Sequence, residues 1–217
     1  MALKASERKV QIPWEEGALE GWFVEGETSK PLVLLMHGAN NDMDHPLLVQ
    51  MVHVLAPEGW SLLRFNFDFV KTHRIDFPKL YREILAAEAW ARQQHPEGPL
   101  FLVGKSLGAY MATHRAVLKP GVAGIVALGY PFQQADGTPI DQSHLSRLQV
   151  PLGVIQGTED PLGPPEAAES ILAEVPVKPV LLWIEGANHS FQGKEEAAVL
   201  EAVRLLKHWT DPGESSS

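Results

Sequence analysis

The chain has 217 residues, 45% hydrophobic and 21% charged, enough to bury one sizeable core and short for a second full domain. Its formal net charge is −9, with 18 Lys and Arg against 27 Asp and Glu. That balance disfavours nucleic acid and anionic membranes as partners, because both need clustered cations, and it favours neutral over anionic substrates. The absence of cysteine excludes disulfides, zinc–thiolate sites and a cysteine nucleophile.

In chain order, residues 1–10 are polar and lack the apolar core of a signal peptide. No apolar stretch nears the roughly 20 residues of a membrane span, so a cytoplasmic protein is expected. Residues 9–14 and 19–24 alternate around Glu15-Glu16-Gly17 and predict a β-hairpin. Residues 32–36 then run apolar without alternation, the mark of a strand buried on both faces of a parallel sheet. The same kind of run recurs at 61–65, 100–103, 124–128, 152–155 and 180–184. Helical stripes lie between the runs. Residues 45–55 carry Leu48, Met51, Val52 and Leu55 on one face, with Asp44 as N-cap. Further helices are predicted over 78–94, 106–118, 165–175 and 194–209. The linker 131–149 holds a short helix near 143–148 and no large lid. Residues 211–217 read as a disordered tail. Alternating strands and helices imply right-handed crossovers and a mostly parallel sheet covered on both faces, with the hairpin as an antiparallel edge, in one α/β domain over 1–210.

Gly104-Lys105-Ser106-Leu107-Gly108 fits G-x-S-x-G, the nucleophile elbow, and stands where that motif must, after a buried run and at the start of a helical stripe. There the strand turns sharply into a helix, and the glycines relieve crowding between backbone segments. Ser106 is the candidate nucleophile. Serine is weakly nucleophilic at neutral pH, so it needs a base, and the base needs an acid to orient it. Around such an elbow the chain order is Ser, acid, His, each on a loop after a strand. Gln156-Gly157-Thr158-Glu159-Asp160-Pro161 follows one run and offers Asp160 as the acid, with Glu159 as the rival one residue away. Glu185-Gly186-Ala187-Asn188-His189 follows the next and offers His189 as the base. Among the 9 histidines, His53, His95, His114, His144 and His208 fall in helices or solvent-facing loops and read as structural or exposed. No H-E-x-x-H or similar spacing occurs, so no metal is expected.

An oxyanion hole needs two N–H donors. Leu107, just after the nucleophile, supplies one. Ala39 in the turn His37-Gly38-Ala39-Asn40 is the candidate for the other, with His37 as a structural hydrogen-bonding residue rather than a second base. Asn40, Met43, Phe67, Tyr130 and Phe191 lie on loops at the carboxyl edge of the sheet. Each either lines a substrate pocket or packs beneath its loop. Lys105 either adds positive potential beside Ser106 or turns to solvent or a neighbouring partner; the second is the expectation.

The chain resembles bacterial α/β hydrolases related to dienelactone hydrolase, whose animal relatives include a testis-expressed protein and a subunit of a histone acetyltransferase complex. The residues that carry the resemblance are His37-Gly38-Ala39, Leu63-Arg64-Phe65-Asn66-Phe67, Gly104–Gly108, Gly129-Tyr130-Pro131, Gln156–Asp160 and Asn188-His189-Ser190-Phe191. It implies an α/β-hydrolase core, a Ser106–Asp160–His189 triad and no cofactor. Relatives often have Gly at the positions of Asn40 and Ala109; a side chain at 40 narrows the oxyanion loop or adds a polar contact. The function expected is hydrolysis of small, soluble esters in an open site through an acyl-enzyme. The alternatives are a non-catalytic interaction module on a hydrolase scaffold, and an acyltransferase or peptidase using the same triad.

Overall fold

Residues 7–210 are described in the computed structural model of the chain. The hairpin is β1 (Arg8–Trp14) and β2 (Gly17–Val24), followed by β3 (Leu32–Met36), α1 (Pro46–Leu55), β4 (Ser61–Phe65), α2 (Phe69–Thr72) and α3 (Phe77–Gln94). Then come β5 (Leu100–Lys105), α4 (Leu107–Leu118), β6 (Gly124–Leu128), β7 (Leu152–Gly157), α5 (Pro165–Leu172), β8 (Val180–Ile184) and α6 (Glu195–Thr210). The strands form one sheet in the order β1-β2-β4-β3-β5-β6-β7-β8. β2 runs antiparallel to β1 and β4, while β3 to β8 are mutually parallel. The tail expected over 211–217 lies outside the described residues.

Period-two alternation sends each strand's side chains into two cores. Leu34, Met36, Leu63, Leu102 and Ala127 face α3, α4 and α5 through Leu80, Ile84, Ala109, Ala112, Ala168 and Leu172. Val33, Leu35, Leu62, Val103 and Leu128 face α1 and α6 through Leu48, Met51, Leu55, Val199, Ala202 and Leu206. The chain leaves β3 to build β4 on one side of it, then crosses back to build β5 on the other. The loops after β3 and β5 therefore part at the carboxyl edge, where an open α/β sheet forms its crevice.

Several sequence expectations shift. α1 is capped by His45, whose Nδ1 accepts from the Leu47 N–H at 3.3 Å, and not by Asp44. The Asp44 carboxylate is instead taken by the Arg64 guanidinium, which also donates to the Met43 carbonyl at 3.1 Å and to Glu7. β8 is an edge strand with Val180 exposed and Leu181, Leu182 and Trp183 half-buried, so its apolar run does not mark burial on both faces. The helix near 143–148 is a 3-10 turn, Ser143–Arg147. The short α2 has no counterpart in the sequence reading. His95 and His144 are buried rather than solvent-facing. His95 lies between Ser61 Oγ at 3.0 Å and the Lys30 carbonyl at 2.8 Å. His144 meets Thr113 Oγ1 at 2.8 Å and stacks on His114 at 3.6 Å between centroids.

α4 sits directly on the end of β3. A Cβ on Gly108 would stand 2.3 Å from the Met36 carbonyl oxygen and 2.8 Å from that of His37. Neither is the end of a flexible side chain, so Gly108→Ala must push the helix off the sheet. A loss of about 3 kcal/mol, the upper end for overpacking, is expected as a lowered urea midpoint.

Candidate active site

β5 ends at Lys105 and α4 begins at Leu107, leaving Ser106 alone in the bend at φ 53°, ψ −116°. This is a costly conformation for a residue with a side chain, and tight surroundings hold it. The Ser106 N–H donates to the Leu128 carbonyl at 3.0 Å. On the inner side, a Cβ on Gly104 would lie 2.3 Å from the Ala109 nitrogen. The glycines of the motif are thus set by contact distance, and Ala109, fully buried inside α4, fits without strain.

Two further loops reach the serine. In the turn after β7 the Asp160 N–H donates to the Gly157 carbonyl at 3.2 Å, and its side chain is fully buried. In the turn after β8, Asn188 Oδ1 accepts from the Ser190 and Gln192 N–H groups, while Phe191, fully buried at φ 57°, anchors the loop in the core. The turns are tied together where the Glu159 N–H donates to the Ala187 carbonyl at 2.9 Å. His189 consequently stands between the other two side chains, with Nδ1 2.8 Å from Asp160 Oδ2 and Nε2 2.9 Å from Ser106 Oγ. A carboxylate only accepts, so Nδ1 carries the proton and Nε2 offers its lone pair to the serine. Glu159 is exposed, and no hydrogen bond joins its carboxylate to His189.

Residues 29–209 match the family described as alpha/beta hydrolase domain. The chain belongs to that family. The fold is also that of dienelactone hydrolase from Anabaena variabilis, with a TM-score of 0.81 at 21% identity over 94% of this chain and 98% of that one. A lidless α/β serine hydrolase from Xanthomonas campestris gives 0.78 at 20% identity, covering 100% and 99%. A Pyrococcus furiosus esterase gives 0.78 at 19%, covering 95% and 91%.

In this alpha/beta hydrolase the turn after β3 closes over the serine: a Cβ on Gly38 would lie 3.2 Å from Ser106 Cβ. Ala39 follows at the rim, and Leu107 opens α4, whose first N–H groups have no intrahelical acceptor. His37 holds the turn in place. Its Nε2 accepts from the Phe67 N–H at 3.1 Å, so Nδ1 bears the proton and donates to the Gly38 carbonyl at 2.8 Å. Burial pushes His37 down to about 4, and it stays neutral between Phe67 and Phe69.

Of the five substrate-binding candidates, only Asn40 is exposed. Met43, Phe67, Tyr130 and Phe191 pack beneath their loops. Met43 is pinned there by Asn66 Oδ1, which accepts its N–H at 2.7 Å, and Tyr130 OH is held by Gln142 at 2.9 Å. These side chains shape the site from below and offer no open wall. The exposed apolar surface comes instead from α3 and α4: Phe77, 50% exposed, meets half-buried Tyr110 edge-on at 5.8 Å, one turn along from Leu107. Between β6 and β7, among the described residues, the only helical segment is the 3-10 turn, so nothing bulky roofs the site.

One residue near the serine was missed in the sequence. Gln156, the penultimate residue of β7, donates through Nε2 to Asp160 Oδ2 at 2.6 Å and accepts the Tyr130 N–H at 2.9 Å. Its position four residues before a candidate acid was the available signal. Lys105, expected to turn to solvent or pair with a neighbour, instead has a buried side chain, and among the described residues no hydrogen bond or ion pair holds its ammonium. Among the described residues no group of His, Cys, Asp or Glu could hold a metal ion, and no helix is long and apolar enough to cross a membrane.

Proposed function

We propose that the protein is a serine hydrolase of small, neutral carboxylic esters, acting through an acyl-enzyme. The observation that carries this reading is the continuous path Ser106 Oγ–His189 Nε2, His189 Nδ1–Asp160 Oδ2, at 2.9 and 2.8 Å. Both distances lie within proton-transfer reach. As Ser106 Oγ attacks the ester carbonyl carbon, its proton passes to His189 Nε2. Asp160 stabilises the imidazolium and fixes its tautomer without taking the proton. The oxyanion is received by the Leu107 and Ala39 N–H groups, each worth about 2.7–4 kcal/mol of barrier. Collapse breaks the ester C–O bond, and the leaving alkoxide takes the proton from Nε2. Water, deprotonated by the same nitrogen, then attacks the acyl carbon and returns Ser106 to its hydroxyl form.

The unroofed site, the exposed Phe77 ring against half-buried Tyr110 and the net charge of −9 support a small neutral substrate. Treatment with a fluorophosphonate, which bonds only to an activated serine, tests the reading. A single adduct is expected, mapped by peptide mass spectrometry to Ser106. An unlabelled protein would instead match a non-catalytic module on this scaffold.

A further inference from the structure

Lys105 is covalently joined to Ser106 and keeps only 3% of its surface exposed. Among the described residues, no hydrogen bond or ion pair holds its ammonium. Its stem runs beneath the turn that covers the serine: a Cβ on Gly38 would meet Lys105 Cδ and Ser106 Cβ, each at 3.2 Å. The stem is covered, while the ammonium nitrogen is not among the buried polar atoms left without a partner and so keeps contact with solvent. Here burial draws Lys105 down to about 8, against the opposing pull of Asp160. His45, at the start of α1, also feels the Lys105 charge, and around His45 stand Asp42, Glu195 and His189. None of these carboxylates closes an ion pair with Lys105, so its field remains available to a charge that is absent at rest.

We propose that Lys105 is a positioning residue for acyl transfer, propping the Gly38–Ala39 turn from below and lending its positive field to the oxyanion that forms there. The inference rests on the reading of Ser106 as nucleophile. A neutral ester gains little from that field, whereas the tetrahedral oxyanion gains much, so the effect falls on kcat and spares KM. The ammonium is present below its pKa and lost above it, so turnover declines on the alkaline side as Lys105 gives up its proton.

The test is kcat and KM for p-nitrophenyl butyrate, corrected for uncatalysed hydrolysis, from about pH 6 to about pH 10. Wild type, Lys105→Met and Lys105→Arg are compared. Wild type is expected to lose turnover above about pH 8. Lys105→Met is expected to run about tenfold slower at pH 7, with KM within about twofold and no alkaline decline. Lys105→Arg keeps a charge that does not titrate in this range, so it is expected to stay within about threefold of wild type and also lose the decline. A wild-type rate or an alkaline decline in the Met variant overturns the proposal. So does a change confined to KM, which would make Lys105 a substrate-binding group. If the Met variant does not fold, the Arg variant decides: a persisting decline overturns the proposal. A wild-type protein with neither turnover nor a fluorophosphonate adduct would overturn the nucleophile reading itself. Labelled wild type with indifferent Lys105 variants overturns only this inference.

Discussion

Ser106→Ala is expected to lower ester turnover about 10^6-fold, to the residual rate that the oxyanion donors and binding support, while the protein stays folded. Among the described residues, the hydroxyl is the only nucleophilic atom that His189 Nε2 reaches, at 2.9 Å. Without it, the oxyanion donors can still polarise a carbonyl, but no covalent intermediate forms. The replacement keeps the Cβ that already fits beneath Gly38 and keeps the backbone bond from the Ser106 N–H to the Leu128 carbonyl. It leaves no buried polar atom orphaned, because His189 is only half-buried and can turn Nε2 to solvent. The melting temperature should therefore move by less than about 2 °C, a stability change below about 1 kcal/mol. Hydrolysis rates and a thermal melt on one preparation separate loss of chemistry from loss of fold. Full activity in the variant would end the mechanism.

Asp160→Asn is expected to cost about 10^4-fold in kcat with the backbone undisturbed. Asp160 Oδ2 accepts from both His189 Nδ1 and Gln156 Nε2, and Oδ1 accepts the Leu162 N–H at 2.9 Å. An asparagine has one oxygen for these three donors. With its NH2 toward the Leu162 N–H, two donors oppose each other on the loop. With its NH2 toward His189, it forces the imidazole to accept at Nδ1 and carry its proton on Nε2, where it cannot take the serine's. Gln156 cannot relieve the conflict by rotating, since its Oε1 already accepts the Tyr130 N–H. The companion change Glu159→Gln alters an exposed side chain and is expected to leave kcat within about twofold. The reverse result, a silent Asp160→Asn and a damaging Glu159→Gln, would transfer the acid's role to Glu159.

These residues show what a linear reading can and cannot reach. Apolar runs and helical stripes placed all eight strands and the five longer helices, because period-two and 3.6-residue patterns are written locally. The three side chains proposed for catalysis could be brought together on paper for a related reason: each lies in the bend or loop after a strand, and the sheet order brings strand ends together. What depends on contacts across the fold was not legible. Arg64 claimed the Asp44 carboxylate from twenty residues away and left the cap to His45. Phe67, Tyr130 and Phe191 read equally as walls or as packing, since an aromatic ring on a loop carries no local sign of which way it faces; in the fold they pack. Lys105 looked like a surface cation because lysines usually are, and only the turn after β3 puts it under cover. β8 has the same apolar text as the central strands, and nothing within it records that among the described residues it ends the sheet.

That last position has a consequence for durability. His189 is carried just past β8, the strand with a neighbour on one side only, whereas Ser106 is carried past the central β5. The proposed proton acceptor thus rides on the margin of the sheet and the proposed attacking atom on its keel. Margins fray at lower free energy than keels. Warming the protein should accordingly part the imidazole from the serine while most of the molecule is still intact, and cooling should restore the pairing without the chain having to fold again.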